Sequence, residues 1–70
     1  MRITCNGEAV DLDGQVEGTV AGLLLRRFDE PHPPGIAVAV GGEVVPRTCW
    51  GDWPIRDGDV VEIVTAVQGG

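Results

Sequence analysis

The sequence predicts an α+β domain in which one helix packs on a mixed β-sheet. The chain has 70 residues, which is enough for one domain with a single core. Only the stretch 19–28 has the apolar spacing of an amphipathic helix. Short β-branched segments lie on both sides of it, separated by residues typical of tight turns. Since a lone helix has one apolar face, that face is expected to cover one side of a sheet.

The first segment predicts a β-hairpin. Residues 1–5 alternate between apolar and polar side chains, as in a strand with one apolar face. Asn6-Gly7 follows, and both residue types tolerate the positive φ angles of a type I′ turn. Residues 8–12 alternate again, now with acidic residues, and Asp13-Gly14 is expected to end this second strand. Cys5 is accordingly predicted to be a small core residue.

The next segment predicts the helix and its exit. Thr19 has the hydroxyl of an N-cap residue, which accepts a hydrogen bond from a first-turn amide. Arg26 and Arg27 lie in the last turn, where positive charge suits the helix dipole. The proline-rich residues 29–35 predict an exposed connector, in which His32 is expected to be solvated rather than a ligand. The expected apolar face of the helix consists of Val20, Leu23, Leu24 and Phe28.

A second hairpin and a final strand follow. Residues 36–45 consist of two β-branched segments around the turn Gly41-Gly42. Pro46 cannot donate to a ladder, so the second strand is expected to stop there. Asp57-Gly58-Asp59 predicts another turn, and residues 60–67 have the β-branched composition of the last strand.

Two tryptophans lie in the long connection 47–56. They could stack on a base or another ring ligand, or they could cover the open end of the core. We favour the cover, because a domain this small needs large apolar side chains to close its core.

The order of elements indicates the topology of one domain, residues 1–67. The first and last strands are the longest and most apolar, so they are expected side by side at the centre. This arrangement is the ubiquitin-like β-grasp, with a mixed sheet of four or five strands and one packed helix. The face that the helix leaves uncovered carries Ala37 and Ala39. Together with part of the last strand, they predict a flat apolar patch for docking a partner.

Composition excludes several classes of function. The formal charge is -6, with eleven acidic and five basic residues, so nucleic acid is not an expected partner. An acidic surface suits a partner with a basic docking face. Cys5 and Cys49 do not make a disulfide scaffold, and one histidine without a C-x-x-C motif predicts no metal site. The sequence has no signal stretch or membrane-length apolar run, which favours a cytoplasmic protein.

The sequence ends in Gln68-Gly69-Gly70, which we expect to form a flexible tail. The carboxylate of Gly70 has no Cβ beside it, so a narrow enzyme channel can admit and activate it. A frayed terminus without a function is the alternative. A domain of this size cannot enclose a deep active site as well as a core, so we expect a substrate of enzymes rather than an enzyme.

Several motifs together resemble one known family along the whole chain. They are Asn6-Gly7-Glu8, the helix start at residues 19–24, residues 36–40, the V-P-R-x-x-W motif at 45–50, Asp57-Gly58-Asp59 and Gly69-Gly70. They are similar to the ThiS family, the sulfur carriers of thiamine thiazole biosynthesis. The related carriers of molybdopterin synthesis share the fold and the Gly-Gly, but resemble the middle region less.

The resemblance implies a role for the tail. An E1-like enzyme of the ThiF or MoeB type would use ATP to adenylate Gly70, with Gly69 and Gln68 in tail recognition. Sulfur from a cysteine desulfurase system would convert the adenylate to a thiocarboxylate, and a thiazole synthase of the ThiG type would take that sulfur. The chain itself would bind no cofactor. Three alternatives stay open: a carrier for molybdopterin or tRNA thiolation, a protein modifier conjugated through Gly70, and a plain interaction module.

Overall fold

The computed structural model describes residues 1–12 and 18–65. Within them, one α-helix packs on a five-stranded mixed sheet, as the sequence predicts. The predicted domain end at residue 67 lies outside the described residues. In chain order the elements are β1 (Arg2–Cys5), β2 (Glu8–Asp11), α1 (Val20–Phe28), β3 (Ile36–Val40), β4 (Glu43–Val45), a short 3₁₀-helix (Arg47–Cys49) and β5 (Val60–Thr65).

The strands lie in the order β2-β1-β5-β3-β4. Strand β5 is central, pairing in parallel with β1 and antiparallel with β3. The predicted adjacency of the first and last strands is therefore confirmed. The two hairpins, β1–β2 and β3–β4, are antiparallel and form the two halves of the sheet.

The first hairpin turns where the sequence predicts. Asn6 has φ 52° and Gly7 has φ 83°, which are the positive values that a type I′ turn requires. Beyond β2, Leu12 still pairs with Met1, whose carbonyl accepts the Leu12 amide at 2.7 Å. The predicted turn at Asp13-Gly14 lies outside the described residues.

The helix begins at the predicted cap. The Thr19 hydroxyl accepts the Gly22 amide at 3.1 Å. The two amides before it, of Val20 and Ala21, donate to the carbonyls of Trp53 and Trp50 at 3.0 and 2.9 Å. First-turn amides have no partner inside a helix, so the tryptophan connection completes the N-terminus of α1 through its backbone.

The core lies between α1 and one face of the sheet. Val20, Leu23 and Leu24 are buried there as predicted, but Phe28 is 41% exposed, so its assignment to the same face is wrong. The reason is that the helix leaves the core in its last turn: residues 25–28 are all exposed, including Arg27, whose direction lies only roughly 20° from that of Val20. The buried core residues are Ile3, Cys5, Leu12, Val20, Ala21, Leu23, Leu24, Val38, Val45, Trp50, Ile55, Val61 and Ile63.

Candidate functional site: a docking face and an anchored strand

The strand that leads to the C-terminal residues is held on both sides. Strand β5 pairs with β3 along five positions, from Ile36 opposite Thr65 to Val40 opposite Val61. On its other side, the β1 residues Thr4 and Cys5 lie opposite Val60 and Val61. Because it is central and paired on both edges, β5 is a rigid base for whatever follows it.

The side chain of Asn6 extends the pairing of β5 beyond the end of β1. Its amide nitrogen donates to the Ile63 carbonyl at 3.1 Å, and its amide oxygen accepts the Ile63 N–H at 2.7 Å. The backbone amide of Asn6 also donates to the Val61 carbonyl at 2.9 Å. One side-chain amide thus replaces the peptide group that a longer β1 would offer, and it fixes β5 two residues before its end.

The predicted sulfur-carrying and recognition residues follow this anchored strand directly. Gln68, Gly69 and Gly70 lie outside the described residues, as do Ala66 and Val67. A segment of five residues can span at most about 17 Å when extended. A partner that binds Gly70 must therefore have its binding site within about 17 Å of the end of β5.

The sheet face opposite the helix has the apolar patch that the alanines predict. We call the patch formed by Ala37, Ala39, Val44, Val60 and Val64 the open face. Ala37 lies opposite Val64, and Ala39 lies between Val44 on β4 and Glu62 on β5. Val44 and Val64 are 70% and 59% exposed, whereas Ala39 is half-buried. Each alanine therefore has a valine as a cross-strand neighbour, and the face is an apolar patch interrupted by Glu62 in a strongly acidic protein.

Val44 is a member of the open face that the sequence reading missed. The predicted patch includes the two alanines and part of the last strand, but no residue of β4. The alternation around Val44 could have identified it, because Val45 is buried and the next side chain along a strand points to the opposite face. Its register opposite Ala39, however, follows only from the folded sheet.

Trp50 closes the core, and the connector residue His32 helps to cover it. The indole is 1% exposed and its N–H donates to the Val45 carbonyl at 3.0 Å. The His32 ring stacks on it, with centroids 5.8 Å apart and planes 9° apart. His32 is exposed, as expected for a solvated connector residue, but its ring also has a packing partner that the sequence does not indicate. Sequence reasoning had no signal for this contact, which joins the connector to a distant turn.

Arg47 also holds the connector, residues 29–35, in place. Its guanidinium lies 5.1 Å from the centre of the Trp50 ring. The same group donates to the carbonyl of Pro33 at 2.9 Å and to that of His32 at 2.6 Å. The preference for a core cover over a ligand-stacking site is confirmed for Trp50, and Trp53 packs half-buried against the same core.

Neither cysteine belongs to a visible reactive centre. Cys5 is buried in the core, as predicted, Cys49 is half-buried, and both are free thiols. Residues 1–12 and 18–65 contain no group of three or more histidine, cysteine or acidic residues placed to hold a metal ion. In the same ranges, no helix has the length and apolarity needed to cross a membrane.

The fold and the site define a class of protein. One helix on a mixed five-stranded sheet, with the last described strand at its centre, is a ubiquitin-like β-grasp. The predicted fold is thus confirmed.

Comparisons with known proteins identify the family. The ThiS family model matches residues 3–70, so the chain belongs to the ThiS family. A crystal structure of the thiamine biosynthesis protein ThiS from Geobacter metallireducens is 30% identical, with a TM-score of 0.79 and 100% of both chains covered. An NMR structure of a thiamine biosynthesis protein from that organism is also 30% identical, with a TM-score of 0.76. It covers 100% of this chain and 88% of that one. No curated protein matches the chain significantly.

Proposed function

We propose that this protein is a sulfur carrier for thiazole formation in thiamine biosynthesis, and that the Gly70 carboxylate carries the sulfur. The observation that carries this proposal is the ThiS family match, which extends to residue 70 and so includes the Gly69-Gly70 pair. In this proposal the chain is a cosubstrate of cytoplasmic enzymes, and it binds no cofactor itself.

The free carboxylate of Gly70 is a poor electrophile, so it must first be activated. An activating enzyme of the ThiF or MoeB type transfers AMP from ATP to the Gly70 carboxylate and releases pyrophosphate. The acyl adenylate has a good leaving group, so the terminal sulfur of a desulfurase-derived persulfide attacks the carbonyl carbon and AMP departs. A thiol then cleaves the acyl disulfide, which leaves the thiocarboxylate and a new disulfide. A thiazole synthase of the ThiG type accepts the sulfur.

The anchored strand supports this role. Pairing with β1 and β3 and the Asn6 clamp hold β5 as far as Ile63. An enzyme that grips the folded domain therefore also fixes the point from which the tail starts. Positioning of this kind lowers the entropy cost of aligning the Gly70 carboxylate with ATP.

The open face is the proposed docking surface for the activating enzyme. Ala37 and Ala39 lie in this apolar patch, and Glu62 adds a negative charge beside Ala39. An apolar patch with an adjoining carboxylate fits a partner surface with an apolar ridge and a basic neighbour. Gln68 and Gly69 are then proposed to bind in the entrance of the enzyme's active site. A narrow entrance can admit them, because Gln68 is uncharged and Gly69 has no side chain.

Deleting Gly70 tests the proposal. The fold is expected to survive, because the core consists of residues that precede the tail. Activation is expected to fall by a hundredfold or more, because the carboxylate retracts by up to about 3.5 Å and misalignment of ~1 Å already costs that much. The measurements are ATP–pyrophosphate exchange with the activating enzyme and circular dichroism. Thr48→Ala, at an exposed site on the 3₁₀-helix, is the control and should exchange normally.

The outcomes separate the possible functions. Near-normal exchange by the deletion variant would contradict the proposal, and loss of native dichroism would show that the tail is structural. Mass spectrometry of the protein isolated from cells adds a second test. Replacement of one C-terminal oxygen by sulfur supports the carrier. Gly-Gly remnants on lysines of other proteins would instead indicate a protein modifier, and neither modification would indicate an interaction module.

A further inference from the structure

A groove lies between strand β2 and helix α1, on the side of the sheet opposite the open face. It contains a cavity of about 200 Å³. Its deep wall is apolar, since Cys5, Leu12 and Leu23 are each at most 3% exposed. An apolar cavity of ~150 Å³ accommodates benzene, so this one has room for a branched or aromatic side chain. In the described part of the chain, its lining consists of Cys5, Val10, Leu12, Leu23, Arg26 and Arg27.

The strand beside this β2–α1 groove is an unpaired edge. Met1 and Leu12 exchange two backbone hydrogen bonds, of 3.1 and 2.7 Å. Hydrogen-bonded and non-bonded pairs alternate along an antiparallel ladder, so the N–H and C=O groups of Ala9 and Asp11 point away from β1. No residue in 1–12 or 18–65 pairs with these outward groups. Such an edge is a template for another strand.

The charge at the groove is mixed: two arginines lie on its helix side, and Glu8, opposite Cys5 on the same face of the sheet, lies on its strand side. The net charge is -6, yet two of the five arginines line this one cavity. Arg27 is exposed and has no ion-pair partner among the described residues. Its guanidinium is thus available to a carboxylate that lies beside the groove.

We infer that the β2–α1 groove binds an extended, acidic–apolar segment of a partner protein. The segment adds to the sheet as a strand beside β2 and bonds to the outward groups of Ala9 and Asp11. Side chains alternate along it, so one apolar side chain enters the cavity while its neighbours stay in solvent. A carboxylate of the segment pairs with Arg27. Backbone bonds supply affinity, while the cavity and the arginine supply specificity.

This surface is separate from the proposed carrier site. Strands β2 and β4 are opposite edges of the sheet, and the groove and the open face lie on opposite sides of it. A partner held in the groove therefore leaves the open face accessible. The carrier can stay attached to one protein while its C-terminal residues are delivered to another.

An NMR titration of the full chain tests the inference. The probe is an end-capped peptide in which valine and isoleucine alternate with threonine after two aspartates. The expected result is a set of chemical-shift changes at the amides of Ala9 and Asp11 and at the methyl groups of Val10 and Leu23. A matched peptide with two lysines in place of the aspartates should bind more weakly. Changes confined to Ala37 and its neighbours, or no binding, would overturn the inference.

Two variants sharpen the test. Arg27→Glu should weaken the binding of the acidic peptide by roughly three- to tenfold, as expected for one charge at the edge of the groove. It should also make the lysine peptide bind more tightly than the acidic one. Arg56→Glu, near the β3–β4 turn, is the control and should leave both affinities unchanged. Ala9→Pro removes an outward N–H that an edge strand can lose without unfolding, and it should abolish binding. Equal binding by wild type and Arg27→Glu would contradict the proposed site, whether or not Ala9→Pro folds.

Discussion

At the scale of single residues, Asn6 combines two functions that are usually separate. Its backbone adopts a positive φ angle in the turn, and its side chain makes both hydrogen bonds to Ile63. The first function needs only glycine or asparagine. The second needs a side chain with a donor and an acceptor at the same distance from the backbone, so asparagine satisfies both.

Two substitutions separate these contributions. Asn6→Gly keeps the turn but removes both side-chain bonds, and it should cost about 2 kcal/mol at ~1 kcal/mol per bond. Asn6→Ala removes the same bonds but keeps a Cβ at positive φ without the polar side chain that lets asparagine tolerate it, so it should be roughly 1 kcal/mol less stable than Asn6→Gly. Chemical denaturation of both variants measures the costs. An Asn6→Gly variant as stable as the wild type would show that the bonds to β5 contribute nothing.

Arg47 is the residue that holds the proline-rich connector against the core. Arg47→Lys keeps the charge but cannot make the paired contacts to the carbonyls of His32 and Pro33. We expect a loss of about 1–2 kcal/mol and a change in tryptophan fluorescence, because the cover over Trp50 loosens. Arg56→Lys is the matched control, since only the backbone of Arg56 forms a described hydrogen bond. Equal unfolding midpoints for the two variants would refute this role.

At the scale of elements, the N-terminus of α1 depends on two segments of the chain. Thr19 caps one amide through its hydroxyl, and the carbonyls of Trp50 and Trp53 accept two others. The helix is only nine residues long, so it would be marginal alone. Its stability therefore comes from these contacts and from the buried face of Val20, Leu23 and Leu24.

Thr19→Ala measures the local part of this stabilisation. The variant should lose about 1 kcal/mol, the usual cost of removing a capping hydroxyl. Thr19→Ser is the control, because it keeps the oxygen and should stay within a few tenths of a kcal/mol of wild type. The unfolding free energy from urea titration is the measurement. If both variants lose the same amount, the methyl group rather than the hydroxyl is responsible.

At the scale of the whole molecule, the helix determines which sheet face can dock. Together with the tryptophan connection it covers one face and leaves Ala37, Val44 and Val64 on the other. An uncovered apolar patch on so small a domain suggests a docking surface, and this one lies where the proposed activating enzyme would approach the end of β5.

Ala37→Asp is expected to weaken binding to the activating enzyme by tenfold or more, because it places a charge in a desolvated apolar contact. The fold should persist, since Ala37 is exposed. Ala9→Asp is the matched control on the same sheet face, at the far edge of the sheet. Calorimetry gives the affinities, and circular dichroism checks the fold. Normal binding by Ala37→Asp would remove the open face from the proposed interface.

The sequence by itself determined most of the features that depend on neighbours along the chain, although not the 3₁₀-helix at Arg47–Cys49. Alternation predicted the strands, the residue chemistry of Asn6-Gly7 and Gly41-Gly42 predicted their turns, and the Thr19 hydroxyl predicted the helix start. These features follow from local sterics and local hydrogen bonds, which are present in the chain before it folds. The lone helix also implied that one sheet face stays open.

Only the tertiary structure decided which distant groups meet. Asn6 reaches Ile63 across 57 positions of sequence, and His32 and Arg47 meet over Trp50 from separate turns. Val44 joined the open face through its register opposite Ala39, and Phe28 is exposed because the last turn of the helix lies beyond the core. No periodicity encodes such contacts, because side-chain direction and strand register are settled only when the elements pack together.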